Sequence, residues 1–589
     1  MGGRACPGRR HGRASVLTPL VLELELDLRE PQGHRLEARL SFTPQHRRLG
    51  LALPRWTPGS YLLREYVGQL EGLQVHQQGA VLDPRRVSPF RWELELPQLA
   101  PLTVTYAVQA TELTVRTAHL TEEHGFLPLA AIVLQIDGAR WSEHRLRLRL
   151  PDDWQPFVPL PQLPDGSWVA TDLDQLIDSP VEVGPHPSHA FAVAGVPHRW
   201  VTWGGDLPQQ DRHWLADVER VCLACCRLMG VERPAADAYL FVLHLTESGY
   251  GGLEHDCSTV LQFGRRRLVR PEGRRKLLQL VAHEYLHQWN VRRLRPCQLV
   301  PIDYDRATVV PTLWFAEGIT SYLDQLLPHA AGCCSADAVL EDLADELSRY
   351  LGSQGRFVQS LRGSSEEAWV KLYRPHPHAG NQQVSYYLKG AVLALVLDLH
   401  LRHQGAWLGA VLQDLWCSHG VCRRGYSEED LLNAFARHAP DLRTLLPTWL
   451  NSTEDPPFEA LLAGVGLRLE PVLPTAPQLG WQLEARATGG LWVTRTSRGG
   501  PAQQAGVQVG DELIALGRER LRQAEDITLL LAGDAAAQTW DLLVSREGLL
   551  HTLRVRPAPA KVERWQLRVD PAAPATAQQR RQAWLELRP

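Results

Sequence analysis

The sequence predicts a multidomain protein, with an N-terminal all-β, sandwich-like domain, a mainly α-helical middle domain and a C-terminal α+β domain. The chain of 589 residues is too long for a single hydrophobic core. Apolar residues alternate with a period of two up to about residue 198, and then recur with a helical period of about 3.6. Short strand-like runs return near residue 464. The predicted segments are a disordered tail at 1–14, domains at 15–198, 199–462 and 463–560, and a tail at 561–589 with a short helix.

The composition is ordinary for a soluble globular protein. Hydrophobic residues make up 44% of the chain and charged residues 22%, and the formal net charge is −4. This balance favours neither nucleic acid nor a membrane surface as a partner. The longest apolar run, "AVLALVLDLHL", is interrupted by Asp398 and is too short to span a bilayer.

The ten cysteines indicate a reducing compartment. Adjacent pairs such as Cys225–Cys226 and Cys333–Cys334 make a poor disulfide framework in so large a chain. The basic start, "MGGRACPGRRHGRAS", lacks the apolar stretch of a signal peptide. We therefore expect a cytoplasmic protein.

The first domain is predicted from short alternating runs. Segments such as "LVLELELDL", "RWELELP" and "LTVTYAV" put apolar side chains on one face of a strand, and Pro and Gly separate them. Many short strands at this spacing favour a sandwich.

The middle domain contains a candidate metal site in "LVAHEYLHQWN". Residues four apart lie on one face of a helix, so His283 and His287 can direct both imidazoles at one ion. Glu284 falls on the neighbouring flank, where a carboxylate can take a proton from a zinc-activated water. This is the chemistry behind an H-E-x-x-H motif. The alternative is an amphipathic helix that carries histidines by chance.

A third ligand is available in "LWFAEGITSYLDQL". Glu317 lies on a second apolar helix and would complete a His-His-Glu set for one Zn²⁺ per chain, with one coordination position open to water. The alternative is a carboxylate at a helix start, stabilised by the helix dipole.

These segments together resemble the glycyl aminopeptidase family, peptidase family M61, within the gluzincin zinc peptidases. The resemblance is carried by "HEYLHQWNVRRLRP", "LWFAEGITSY", "PRWTPGSYLLREY", "GYGGLEH" and "SYYLKG". It implies a thermolysin-like catalytic domain and a zinc aminopeptidase that prefers small N-terminal residues such as Gly or Ala. One departure is the spacer of 29 residues between His287 and Glu317, which is longer than in better-known gluzincins.

The resemblance also supplies further site positions. Tyr387 matches the tyrosine of Y-x-K-G, which could donate a hydrogen bond to the oxyanion, with Tyr386 as its neighbouring competitor. Glu254 would bind the α-amino group of the substrate. Gly251 and Gly252 would let an edge strand approach the substrate backbone. The alternatives are a core tyrosine and a Gly-rich turn with a solvated glutamate.

Two other features are predicted to be structural. His255 is expected at the surface, although it follows Glu254. The basic run "GRRRLVRPEGRRK" could bind a substrate carboxylate, but a solvated loop is the favoured interpretation.

The C-terminal domain resembles a PDZ domain over "GGLWVTRTSRGGPAQQAGVQVGDELIALG". Gly506 is expected to cap a short helix, and Asp511 to lead into a strand. "GVGLRL" (464–469) is predicted to be the carboxylate-binding loop and strand for a peptide C-terminus. A purely structural role for this domain stays open.

The sequence therefore predicts a zinc aminopeptidase acting on peptides, with Glu284 as general base. Two alternatives remain. One is a zinc endopeptidase with the same metal site, and the other is a non-catalytic, PDZ-bearing peptide-binding protein.

Overall fold

A computed structural model describes residues 20–473, 477–487, 489–532, 538–562 and 564–589, so the predicted tail at 1–14 lies outside the described residues. The chain forms two compact units. The first comprises residues up to Thr57 and Arg64–His186, and the second comprises Pro58–Leu63 and Pro187–Pro589.

The first unit is all-β apart from short helical turns. Its strands are β1 (Val21–Asp27), β2 (Arg35–Phe42), β3 (Arg48–Ala52), β4 (Leu70–Gln77), β5 (Ala80–Leu82), β6 (Arg85–Ser88), β7 (Arg91–Glu95), β8 (Leu102–Gln109), β9 (Thr111–Thr114), β10 (Thr117–Leu120), β11 (Gly125–Leu127), β12 (Gln135–Ile136), β13 (Glu143–Arg149), β14 (Gln155–Phe157), β15 (Trp168–Ala170) and β16 (Val181–Gly184), with helix α1 (Leu173–Ile177). They form sheets of seven, five and four strands. In β1 the leucines Leu22, Leu24 and Leu26 are buried, as the alternating pattern predicts.

The second unit begins with a five-stranded sheet of β17 (Ser188–Val193), β18 (Val196–Trp203), β19 (Tyr239–Thr246), β20 (Tyr250–Glu254) and β21 (Ser258–Gly264). The order is β17-β18-β19-β21-β20, so β20 lies at the edge. The middle strand, β19, pairs with parallel strands on both sides. Its sequence "YLFVLHLT" is almost continuously buried and therefore lacks the alternation by which strands are predicted.

Helices form most of the following chain up to residue 463. They are α2 (Leu207–Gln210), α3 (Trp214–Leu228), α4 (Arg265–Leu268), α5 (Gly273–Leu286), α6 (Ile319–Ala330), α7 (Ala336–Gly352), α8 (Leu361–Glu366), α9 (Tyr386–His403), α10 (Leu408–Leu415), α11 (Glu428–His438), α12 (Leu442–Asn451) and α13 (Phe458–Ala463). The segment around α9 is long and apolar enough to cross a membrane, but 83% of its most apolar window is buried within the protein. Asp398 of α9 pairs with Arg402 at 3.2 Å inside the protein, which is typical of a core helix.

The C-terminal part contains β22 (Leu467–Val472), β23 (Trp481–Ala485), β24 (Leu491–Thr496), α14 (Pro501–Gln504), β25 (Glu512–Leu516), β26 (Glu519–Arg520), α15 (Ala524–Leu530), β27 (Trp540–Arg546), β28 (Leu549–Val555), β29 (Arg564–Val569) and α16 (Ala575–Leu585). Strands β23, β24, β25, β27 and β28 form one sheet, to which β26 is joined through β25. Gly506 follows α14 with a φ of 86°, and Asp511 is buried and pairs with Arg546 at 2.8 Å. These positions agree with the predicted helix cap and strand start.

The prediction for "GVGLRL" is wrong. Its strand, β22, is outside the sheet of β23–β28 and pairs antiparallel with β29 over six residue pairs. The chain's own C-terminal segment therefore occupies the edge that was predicted to receive a peptide. In sequence, the strands of the β23–β28 sheet lie between β22 and β29.

Candidate active site

The histidines of the H-E-x-x-H motif lie at the C-terminal end of α5. Most residues of this helix are buried. The rings of His283 and His287 are 4.6 Å apart and almost perpendicular. Glu317 belongs to a single π-helical turn, Trp314–Gly318, directly before α6. Its Oε2 atom lies 3.5 Å from Nε2 of His283 and 3.3 Å from Nε2 of His287. The structure thus brings together the two histidines and the glutamate that the sequence pattern selects.

The other nitrogen of each imidazole is used by the protein. Nδ1 of His283 lies 2.8 Å from Asp324 Oδ2 and Nδ1 of His287 lies 2.5 Å from the carbonyl oxygen of Asn290. With the ring proton on Nδ1, each Nε2 presents its lone pair towards Glu317. Three convergent donors of this kind fit a Zn²⁺ ion.

The charges around these imidazoles also favour a cation. Burial lowers the pKa of His283, but hydrogen bonds to Asp324 and Glu317 outweigh it and raise that pKa well above its usual value. Burial raises the pKa of Glu317, yet the two histidines outweigh it and lower the pKa to about 2. Glu284 and Glu254 lie in the same buried region, so carboxylates outnumber imidazoles. A divalent cation would compensate this excess of negative charge.

Glu284 lies beside β20. A Cβ atom on Gly252 would fall 2.1 Å from Oε1 of Glu284, so only a glycine allows this approach. Glu284 is 4% exposed, and burial raises its pKa to about 7 although His283 and His287 oppose the change. A carboxyl group whose pKa lies near 7 is suited to accepting and returning a proton at neutral pH.

Glu254 is the last residue of β20 and is 3% exposed. Its ligand atom lies within 4.8 Å of those of Glu284 and His287, and its Oε1 has no hydrogen-bond partner among the described residues. The segment 58–63 covers it, since a Cβ atom on Gly59 would lie 2.6 Å from Glu254 Oε2. A buried carboxylate oxygen without a donor can receive a cationic group.

Tyr387 reaches the site through a close helix contact. A Cβ atom on Gly390 of α9 would lie 2.9 Å from Cα of Gly318, so α9 packs directly against the turn that carries Glu317. The Tyr387 ring then lies 6.4 Å from that of His283, whereas Tyr386 is fully buried. Of the two candidate tyrosines, Tyr387 is the one beside the histidines.

His255 differs from its prediction. It is 3% exposed and therefore buried, not at the surface. The next residue, Asp256, binds Arg292 at 3.0 Å and Arg423 at 2.6 Å, which fixes the turn between β20 and β21 inside the protein. These ion pairs hold the residues that follow Glu254 inside the protein, and His255 is buried as a result.

Four supporting residues were not predicted: Gly59, Asn290, Asp324 and Tyr373. Asn290 Nδ2 donates to the carbonyls of Phe315 (3.0 Å) and Ala316 (3.2 Å), which ties the end of α5 to the Glu317 turn. The Tyr373 hydroxyl lies 3.2 Å from that of Tyr387. Asp324 follows Glu317 by seven residues, two helical turns, and this spacing is the one signal that could have revealed it.

Comparison with protein families agrees with this architecture. Residues 276–393 match the M61 glycyl aminopeptidase family, and residues 23–185 match the peptidase M61 N-terminal domain. Two parts of the chain are thus similar to M61 peptidases, and the protein is a metallopeptidase. Residues 492–542 match a PDZ domain, within the β23–β28 sheet.

Two solved structures are also similar to this chain. An aminopeptidase N family protein from Idiomarina loihiensis is 27% identical, and the match covers 96% of this chain and 100% of that chain with a TM-score of 0.89. An M1 zinc metallopeptidase from Deinococcus radiodurans is 17% identical over 75% of this chain and 96% of its own, with a TM-score of 0.46. Comparison with curated proteins gives no match.

Proposed function

We propose that this protein is a zinc-dependent aminopeptidase of the M61 family. The observation that carries the proposal is the buried Glu254 carboxylate, within 4.8 Å of Glu284 and His287 and beside the His-His-Glu set. A substrate whose ammonium group binds Glu254 would have its first peptide bond next to Glu284. An internal segment of a polypeptide has no ammonium group to neutralise this carboxylate.

His283, His287 and Glu317 are the residues that would hold the zinc ion, one per chain. When bound, zinc supplies a Lewis acid that polarises a carbonyl group and lowers the pKa of water. Glu284 would accept a proton from the attacking water and deliver it to the leaving amine. Tyr387 would donate its hydroxyl proton in a hydrogen bond to the developing oxyanion.

A preference for a small first residue is the finer part of the proposal. It rests on resemblance to the family and is supported by an aromatic cluster beside Glu254. The ring of Tyr61 packs 5.7 Å from Trp369 and 6.4 Å from Tyr373. Burial raises the pKa of Tyr61 well above its usual value, and nearby Glu317 and Glu254 add to it. Large side chains in this position would favour a small first residue such as Gly or Ala.

The test compares a short Ala-led peptide with its N-acetylated form in the presence of zinc. Cleavage of the free peptide alone is expected, with a loss in kcat of about 10²- to 10⁴-fold in Glu284→Gln. Glu254→Gln should raise KM for the free peptide, because its ammonium group loses a charged partner. Equal cleavage of both forms would instead indicate an endopeptidase, and cleavage of neither would favour a peptide-binding protein.

A further inference from the structure

Strand β20 extends beyond the residues assigned to hydrolysis. Alternate residues of a strand face the same side, so Tyr250, Gly252 and Glu254 share one face. Gly252 abuts Glu284 on that face, and Glu254 lies near Glu284 and His287. Tyr250 therefore stands on the active-site side of β20, at the end opposite Glu254.

Tyr250 is 51% exposed and forms a platform with two neighbours. Its ring packs 5.8 Å from that of Phe263, its cross-strand partner on β21. The guanidinium carbon of Arg267 lies 4.4 Å from the centre of the Tyr250 ring. A guanidinium stacked on a ring is held in position while its N–H groups stay available in its plane.

Arg267 differs from the two arginines before it in the basic run. Arg265 donates to the backbone carbonyl of Leu245, and Arg266 pairs with Glu247 at 2.7 Å. Among the described residues, Arg267 has the rings of Tyr250 and Phe263 as neighbours and no carboxylate within ion-pair distance. It thus presents a fixed, unneutralised cation at the outer end of β20.

The spacing along β20 sets the length of peptide that would reach this cation. A peptide paired antiparallel with β20, with its ammonium at Glu254, advances about 3.4 Å per residue towards Tyr250. Tyr250 is two residues, about 7 Å, beyond Gly252 and Glu284. The C-terminal carboxylate of a tripeptide lies two residues beyond its first carbonyl, which is the same interval.

We infer that Tyr250 and Arg267 form a binding subsite for the C-terminal carboxylate of short peptides, tripeptides above all. The inference rests on the proposed aminopeptidase function and names its substrate class. Arg267 would bind the carboxylate through charge-assisted hydrogen bonds while the Tyr250 ring supports the guanidinium. The amine and the carboxylate of one tripeptide would then be bound at opposite ends of β20.

The test measures kcat/KM for Ala-Ala-Ala as the free acid and as the C-terminal amide. Wild-type enzyme should favour the acid by about tenfold, the effect of one charge-assisted hydrogen bond at a partly exposed site. Arg267→Ala should reduce the acid-to-amide ratio to near one, and Arg267→Glu should invert it. Arg266→Ala, a neighbouring exposed arginine, is the matched control and should keep the wild-type ratio.

The outcomes separate the two proposals. Hydrolysis of both peptides at equal rates by wild-type enzyme, with no response to Arg267→Glu, would overturn the carboxylate subsite and leave the aminopeptidase intact. An equal loss of discrimination in Arg266→Ala would also overturn it, since a general basic field would then be responsible. Hydrolysis of no peptide by wild-type enzyme would overturn both.

Discussion

Lys389, two residues after Tyr387, is buried in a site that gives its ammonium group few partners. It is 3% exposed, and its Nζ lies 3.5 Å from the Gln359 carbonyl and 3.4 Å from the Ser452 carbonyl. Burial lowers its pKa to about 8. The charged form of this lysine therefore costs stability at neutral pH, while its stem fills space between α9 and its neighbours.

The difference in the free energy of unfolding between Lys389→Met and wild type should depend on pH. Between pH 8 and about 10.4, the unfolded lysine binds a proton that the folded one has lost, so the wild-type free energy of unfolding rises with pH. The advantage of Lys389→Met over wild type should thus shrink by about 2–3 kcal/mol across this window. Denaturant titrations at pH 7, 8, 9 and 10 would measure it, with exposed Lys561→Met as control. A constant difference between the two proteins would contradict this account.

Some residues of the candidate site can be predicted from a short stretch of sequence, and others cannot. The spacing of His283, Glu284 and His287 is a property of one helix and can be predicted from periodicity. Gly59 and Tyr373 contact the site from distant parts of the chain, and no local pattern marks them. His255 was placed wrongly because its burial depends on the ion pairs of the next residue, Asp256.

At the level of elements, the contact between α9 and the Glu317 turn determines where Tyr387 lies. Gly318 and Gly390 meet face to face, and the carbonyl of Trp314 would also lie 3.1 Å from a Cβ atom on Gly390. No larger residue fits without moving one element. The glycine of Y-x-K-G is therefore explained by helix packing rather than by backbone conformation.

Gly390→Ala should push α9 away from the Glu317 turn. Overpacking of this kind costs about 1–3 kcal/mol of stability, and a shift of Tyr387 by about 1 Å can lower kcat about 100-fold. Gly352→Ala on α7 is the matched control, because a Cβ atom there would meet nothing within 4 Å. Steady-state kinetics and thermal unfolding of both variants would measure the effects. Wild-type kcat in Gly390→Ala would show that this close contact does not position Tyr387.

The elements themselves were predictable to different degrees. Strands β1 and β2 of the first unit bury one face and keep a period of two, so alternation reveals them. The buried strand β19 has no such alternation, and the sheet that positions β20 was not foreseen. The pairing of β22 with β29 joins segments about 100 residues apart, and turn signals near "GVGLRL" cannot show it.

On the scale of the whole molecule, the PDZ domain is fastened to the catalytic part of its unit at several points. The β22–β29 pair flanks it in sequence. Asn381, in the segment before α9, forms two hydrogen bonds with the PDZ domain. Its Nδ2 donates to the Thr496 carbonyl at 2.6 Å, and its Oδ1 accepts from the backbone N–H of Arg498 at 3.0 Å. The indole of Trp584 in α16 donates to the Tyr322 hydroxyl at 2.6 Å. The C-terminal segment is thus part of the fold rather than a tail.

Asn381→Ala should loosen the PDZ domain without unfolding it. Two hydrogen bonds are lost, worth about 1–3 kcal/mol in total, while the β22–β29 pair remains. Hydrogen exchange should quicken around residues 494–498 and 379–384. Asn451→Ala removes an exposed asparagine and serves as control. Unchanged exchange in Asn381→Ala would mean that this contact does not fix the domain.

We propose that His283, His287 and Glu317 bind one zinc ion that the reaction requires. The most direct measurement is the zinc content per chain together with hydrolysis of a free Ala-led tripeptide, for wild type and Glu317→Gln. We predict one zinc per chain in wild type, loss of activity on chelation, recovery when zinc is restored, and a sharp fall in both zinc and activity in Glu317→Gln. Full hydrolysis by metal-free protein, or a Glu317→Gln variant that keeps its zinc and its activity, would rule out a catalytic zinc ion at these three residues.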